Sequence, residues 1–359
     1  MTQYLSKELK QHLFEGTVIP AYPLALDSRR KFDEVSQRAL THYYIDAGVG
    51  GLAVGVHTTQ FEIRDKEHNL FETVLKIASE EIDKANLSRP FLKIAGVCGP
   101  TKQALEEAEL ALKYGYHIAL LSMGQLDDYT EEMLLERTKE VAKVMPVFGF
   151  YLQPSVGGRV FSYDFWKRFM EIDNVVAVKT APFNRYQTLD VLRAVCESSR
   201  YQEIAVYTGN DDNIVPDLLT VYETNVGGEY RRKEVVGGLL GHWAVWTRKA
   251  VELFERIKRA KQTGDGYAAL LTEGIKITDA NAAFFDIHND FEGCIPGINY
   301  VLAKQGLLPS YTCLNPDEKM GAGQTDEIAR IYQDYPHLND DQFVQTHLNE
   351  WYDKAKGDK

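Results

Sequence analysis

Apolar residues recur along the chain in two alternating rhythms, short unbroken runs and longer stretches spaced at three and four residues. These are the signatures of buried strands and of amphipathic helices. After a lead-in carrying Leu5, Leu9 and Leu13, residues 16–23 predict a strand closed by Pro20 and Pro23, and residues 32–47 a helix ending near Gly48. Further strands are predicted at 51–56, 91–97, 117–121, 146–151, 175–179, 204–209 and 235–240. Helices fill the intervals, from Asp65 onward, from Thr101 onward, and over 130–144, 163–170, 186–196 and 211–222, with a last one at 247–262. Thr101 is expected to cap its helix, and Asp128 with Glu131 three residues on has the spacing of a capping box. The polar stretch 224–234, with Gly227, Gly228, Arg231, Arg232 and Lys233, reads as a solvated loop before the eighth strand.

Eight strand-then-helix units predict an α/β chain folded as a (β/α)8 TIM barrel, because parallel strands need crossovers and the crossovers are helices. A doubly wound sheet would show a glycine-rich turn after an early strand, whereas Gly48-Val49-Gly50-Gly51 precedes one. Alternation stops at about residue 263, and segments such as 299–305 and 325–332 read as helices. The predicted organisation is therefore a barrel over 1–262 and a C-terminal helical extension over 263–359, where Phe343, Leu348 and Trp351 are expected to dock on the barrel or on a neighbour.

Composition narrows the partners. A formal net charge of -12 and a pI near 5.3 argue against nucleic-acid and anionic-membrane surfaces, which want clustered Lys and Arg. No apolar run approaches a membrane span and residues 1–10 lack the apolar core of a signal peptide, so a cytoplasmic location is expected. Cys98, Cys196, Cys294 and Cys313 are widely spaced, which fits reduced thiols and neither a disulfide framework nor a zinc site.

In a barrel of this kind the chemistry lies at the C-terminal ends of the strands. One such end is out of place: Val175-Val176-Ala177-Val178 leads into Lys179. Burial disfavours an ammonium ion, so the lysine there tends toward a nucleophilic amine. The other strand ends supply His57, Thr58 and Thr59 after the second strand, Tyr151 at the fifth, Gly209 and Asn210 at the seventh, and His242 with Trp243 at the eighth. These are an amine, a phenol, hydroxyls and backbone donors, with no cluster of His and carboxylates at metal-ligand spacing. They suit carbonyl chemistry on a small-molecule 2-oxo acid through a Schiff base, although each has a structural alternative as a packed tyrosine, a strand-end Thr pair or a lone histidine.

Gly16-Thr17-Val18-Ile19-Pro20, Tyr151-Leu152-Gln153-Pro154, Val178-Lys179 and Gly209-Asn210-Asp211-Asp212, in that order, resemble the dihydrodipicolinate synthase and N-acetylneuraminate lyase superfamily. The similarity runs from about residue 15 to 308 and includes Ile295-Pro296-Gly297, which resembles the Pro-containing start of a C-terminal helix in that family. The resemblance implies class I aldolase-type chemistry on pyruvate or a longer 2-oxo acid without metal or organic cofactor, in a homo-oligomer, dimer or tetramer. It puts Lys179 on the Schiff-base lysine and Tyr151 on the proton-relay tyrosine.

Three departures accompany it. The family's Gly-Thr-Thr-Gly-Glu loop corresponds without gaps to Gly55-Val56-His57-Thr58-Thr59, so Val56 and His57 replace the two threonines. Thr58, Thr59 and His57 are the candidates left to bind the substrate carboxylate. The synthase's second relay tyrosine falls in Met123-Gly124-Gln125-Leu126, and its entrance arginine can be matched only to Arg159, across Val156-Gly157-Gly158. These losses argue against genuine dihydrodipicolinate synthase activity and leave imine formation untouched. The rival expectation is a non-catalytic or regulatory barrel that binds a 2-oxo or sugar acid.

Overall fold

The computed structural model describes residues 2–357. Its elements, in chain order, are α1 (Lys7–Glu15), β1 (Val18–Pro20), α2 (Glu34–Ala47), β2 (Gly51–Val54), α3 (Phe71–Lys84), β3 (Leu92–Val97), α4 (Thr101–Lys113), β4 (Ile118–Leu121), α5 (Glu131–Val144), β5 (Val147–Leu152) and α6 (Tyr163–Met170). There follow β6 (Val175–Ala181), α7 (Arg185–Glu197), β7 (Ala205–Thr208), α8 (Ile214–Leu219), β8 (Val221–Val226), β9 (Glu229–Leu240) and α9 (Thr247–Thr263). The chain ends in α10 (Tyr267–Phe284), α11 (Cys294–Lys304), α12 (Gln324–Asp334) and α13 (Asp341–Lys356). This is the predicted (β/α)8 barrel, with β1 to β7 and β9 as its strands and helices appended at the C-terminus. Pro296 sits in the first turn of α11, where its missing N–H is harmless.

Several local expectations need correction. The stretch 224–234 is no loop: β8 and β9 pair antiparallel from Val221↔Glu234 to Val226↔Glu229. Gly227 (φ 63) and Gly228 (φ 95) form the two-residue turn, both in the left-handed region that such hairpin turns require. The ribbon alternates exposed and half-buried residues with none fully buried from Val221 to Glu234, so its polar sequence carries no apolar rhythm. The same ribbon shortens the helix expected over 211–222 to the six residues of α8. Thr130, not Asp128, caps α5, accepting from Met133 N, while Glu131 bonds Ser162. Thr101 is the first residue of α4 and makes no capping bond.

Two compact units are distinguishable, Met1–Thr17 with Pro90–Leu239 and Val18–Arg89 with Leu240–Lys359. In the first, β3, β4, β5, β6, β7 and β9 pair in that order, all parallel. All seven residues of β6 are buried, as a strand covered on both faces must be. In the second, Tyr22 N donates to Ala53 O at 2.9 Å and Ala21 N to Leu240 O at 3.2 Å. There α13 docks on α2: the Trp351 ring lies 5.5 Å from that of Tyr43, and Trp351 Nε1 donates to Asp46 at 2.7 Å. Buried Asp340 accepts from Tyr43, Gln305 and the Arg248 backbone. The extension's aromatic residues thus cover the chain's own second helix.

Candidate active site

In the first unit Lys179 lies in register with Phe150 on β5 and Tyr207 on β7. Because strand side chains alternate faces, Phe148, Phe150, Ala177, Lys179 and Tyr207 share one face. Gly149, Tyr151, Val178 and Thr180 share the other. A Cβ at Gly149 would stand 2.5 Å from Phe169 of α6, so that second face is the one covered by helices.

Lys179 is 7% exposed, with Nζ 4.3 Å from the Phe150 ring centre. Burial lowers its pKa to about 8, and the Asp211 carboxylate partly opposes that shift. At pH 7 about a tenth of such amines are neutral, some hundreds of times the fraction for an ordinary lysine. β6 runs two residues past Lys179, to Ala181, which places the amine inside the strand.

Gly209 sits against this side chain. Its N–H donates to Thr180 O at 2.7 Å, and a Cβ there would overlap Lys179. Asn210, expected to bind substrate, is spent on the scaffold: Oδ1 accepts from Phe183 N at 3.0 Å, and Nδ2 donates to Thr188 at 3.2 Å and Asp217 at 3.0 Å. Buried Asp217 also accepts from Thr208 at 2.7 Å and pairs with Arg185. Together these bonds fix the loop that carries Gly209 and Asp211.

Tyr151 pairs with Thr180, one position beyond Lys179, and its ring packs 5.0 Å from Trp166 and 5.6 Å from Phe161. Its hydroxyl bonds no other side chain. Burial raises its pKa, with the Phe161 backbone partly offsetting this. Arg159 donates to Tyr129 O at 2.8 Å and lies over Phe161, tying the loop after β5 to the one after β4.

In the second unit a short helical turn, His57–Thr59, follows β2. The Thr59 hydroxyl is fully engaged, accepting from Gly55 N (3.0 Å) and Val56 N (3.2 Å) and donating to Tyr22 O (2.6 Å). Thr58 is 2% exposed, and its hydroxyl has no hydrogen-bond partner among the described residues. His57 lies 6.0 Å from the Phe61 ring. His242 and Trp243 are buried and border a cavity of about 280 Å³ with Trp246, Ile277 and Leu338. Burial holds His242 down at about 4. Among the described residues no three His, Cys, Asp or Glu side chains are grouped to hold a metal.

Sequence reasoning missed Phe150 and Asp211. Every residue from Val147 to Tyr151 is buried, so nothing in that run distinguishes the face of Phe150 from that of Tyr151. Asp211 was visible within its motif, but its closeness to Lys179 depends on the register of β6 with β7.

A model of the Dihydrodipicolinate synthetase family matches residues 15–228. The chain is 29% identical over 156 residues to the 4-hydroxy-tetrahydrodipicolinate synthase of Acaryochloris marina, covering 43% of this chain and 48% of that protein. It is 23% identical over 216 residues to the N-acetylneuraminate lyase of Citrobacter koseri, covering 59% and 68%. The matched region thus spans about half the length of the synthase relative and about two thirds of the lyase. Among solved structures, the dihydrodipicolinate synthase of Acinetobacter baumannii complexed with pyruvate superposes with a TM-score of 0.71 at 20% identity, over 89% of this chain and 98% of that one. That likeness is one of fold.

Proposed function

Because the chain belongs to the dihydrodipicolinate synthetase family, we propose that it is a Schiff-base-forming lyase, aldolase or hydro-lyase acting on pyruvate or a longer 2-oxo acid, and not a genuine dihydrodipicolinate synthase. The observation that carries this reading is Lys179, a buried amine with a pKa lowered to about 8. Its neutral Nζ attacks the C2 carbonyl, the carbinolamine loses water, and the protonated imine takes up the electron pair as a carbon–carbon or carbon–oxygen bond breaks or forms. Asp211, the ionisable neighbour of the amine, is the group we assign to proton traffic at Nζ. Thr58, with the unpartnered hydroxyl of its turn, is assigned to the substrate carboxylate, and Thr59 to holding the turn.

Family resemblance alone supports three further assignments: a catalytic barrel over 1–262 with an appended extension over 263–359, an assembly of two or four copies, and a cytoplasmic location.

A second reading, a barrel that binds a 2-oxo or sugar acid without turning it over, draws support from Phe150. A phenyl ring stands beside the amine where a phenol was expected, and Tyr151 faces the helices. Incubation with 4-hydroxy-2-oxo acids separates the two. Release of pyruvate supports the lyase, an imine without product supports the binding protein, and no imine with any 2-oxo acid overturns both.

A further inference from the structure

The cavity beside His242 and Trp243 lies wholly within the second unit, between the turn after β9, α9, α10 and the connection into α13. Its floor is apolar: Trp243, Trp246, Leu253, Ile277 and Leu338 border it, and none is more than 7% exposed. Burial keeps His242 neutral near pH 7, so that side chain adds no charge to the floor. Trp246 stands at the N-cap of α9 with φ 52 and ψ 37, a left-handed backbone that a bulky residue keeps only where its surroundings impose it. Here they do. Its Nε1 donates to Tyr332 Oη at 3.3 Å, and its ring stands edge-on to those of Phe284 at 4.9 Å and Tyr332 at 5.2 Å. Trp243 is pinned by the Phe254 ring, 6.2 Å away, and by Thr247, which donates to its carbonyl at 2.7 Å. Both aromatic walls are therefore fixed.

The rim is charged. On α9, Lys249, Ala250, Leu253 and Arg256 fall on one helix face, so Ala250 and Leu253 lie between two cations about 10 Å apart along the axis. Lys249 donates to one oxygen of Glu252 at 3.0 Å, and Arg248 to the other at 3.0 Å. Arg256 engages both oxygens of Glu273 on α10. Each carboxylate thus has both oxygens bonded, whereas an ammonium and a guanidinium carry more N–H groups than these bonds use. The surplus at the mouth is of donors. An apolar floor gives ordered water few partners, so the occupant that fits is organic, with a ring for the tryptophans and an anionic group for the rim. A volume of about 280 Å³ lies at the small end of ligand sites. It has room for one ring and a short chain.

We propose that this cavity is a small-molecule binding site for a monocyclic aromatic carboxylate, whose ring lies against Trp243 and Trp246 and whose carboxylate accepts from the rim donors of Lys249 and Arg256. The site shares no lining residue with the surroundings of Lys179 and asks nothing of the Schiff-base reading. Because α10 and the connection into α13 supply part of its wall, it gives the C-terminal helices a ligand-binding role besides covering α2.

The test measures binding of 3-phenylpropanoate to the full chain by calorimetry, in wild type, in Ala250→Phe and in the double variant Lys249→Gln with Arg256→Gln. Ala250→Phe sets a ring of its own into the cavity; the double variant leaves the cavity open and removes the rim cations. Neither 3-phenylpropanoate nor the matching cation, 3-phenylpropylamine, carries a carbonyl, so neither forms an imine and the result stands whatever Lys179 does. Wild type should bind the acid with a Kd of about 1 mM or tighter. Ala250→Phe and the double variant should each bind it at least about tenfold more weakly, and wild type should bind the amine at least about tenfold more weakly than the acid. A wild-type Kd above about 1 mM overturns the proposal. So does unchanged affinity in Ala250→Phe, which would place the acid elsewhere, or in the double variant, which would take its carboxylate away from the rim. An amine bound as tightly as the acid also overturns it. Should Ala250→Phe fail to melt cooperatively, Ala250→Leu takes its place with the same two outcomes.

Discussion

Gly209 and Lys179 fit together only because Gly209 has no side chain. A methyl group at Gly209 would overlap Lys179 Cε and stand 2.9 Å from Cγ and 2.8 Å from Ala181 Cβ. The bond from Gly209 N to Thr180 O keeps the loop from retreating. Gly209→Ala should therefore displace the amine, lowering pyruvate-dependent labelling about a hundredfold and stability by about 1–3 kcal/mol. Labelling rate and thermal melting of the variant check both figures, and wild-type labelling would remove the close fit from the account.

The amine's titration sets a pH profile. Only the neutral form attacks, so the labelling rate at low pyruvate should rise about tenfold per pH unit below pH 8 and level off above it. The Asp211 carboxylate favours the charged amine and raises the pKa. Asp211→Asn should accordingly move the break to lower pH. A break that stays put, or moves up, would show that the two groups do not interact.

Tyr151→Phe removes a hydroxyl that bonds no other side chain and lies on the helix-covered face. Turnover should stay within about threefold of wild type, and stability should change by no more than about 1 kcal/mol, since the only partner lost is the Phe161 backbone. A drop of a hundredfold or more in turnover would restore the relay role that the resemblance implied.

His242 supplies a stability signature. Its folded pKa of about 4 lies below the unfolded value of 6.5, so between those values the unfolded chain binds the proton more readily. Its effect on stability is nil above pH 6.5 and grows as pH falls toward 4, reaching a loss of roughly 3 kcal/mol. The difference in unfolding free energy between wild type and His242→Leu, followed from pH 7.5 to 4.5, should shrink by about 2.5 kcal/mol. A constant difference would contradict it.

Much of this was legible in the chain. The barrel was readable because buried parallel strands are continuously apolar and their helices periodic, and Lys179 stood out because it breaks such a run. The face of Tyr151 was not, since Val147–Tyr151 is buried on both sides and a face is defined only by register with β6. Nor was the β8–β9 ribbon, whose residues are polar because neither side is fully buried.

The central claim is that Lys179 forms an imine with a 2-oxo acid. Borohydride added to the protein with pyruvate, followed by peptide mapping by mass spectrometry, addresses it most directly. A single reduced pyruvyl group on Lys179, absent without pyruvate and absent in Lys179→Met, is the predicted result. Folded wild-type protein that carries no label at Lys179 with pyruvate or any longer 2-oxo acid would contradict it.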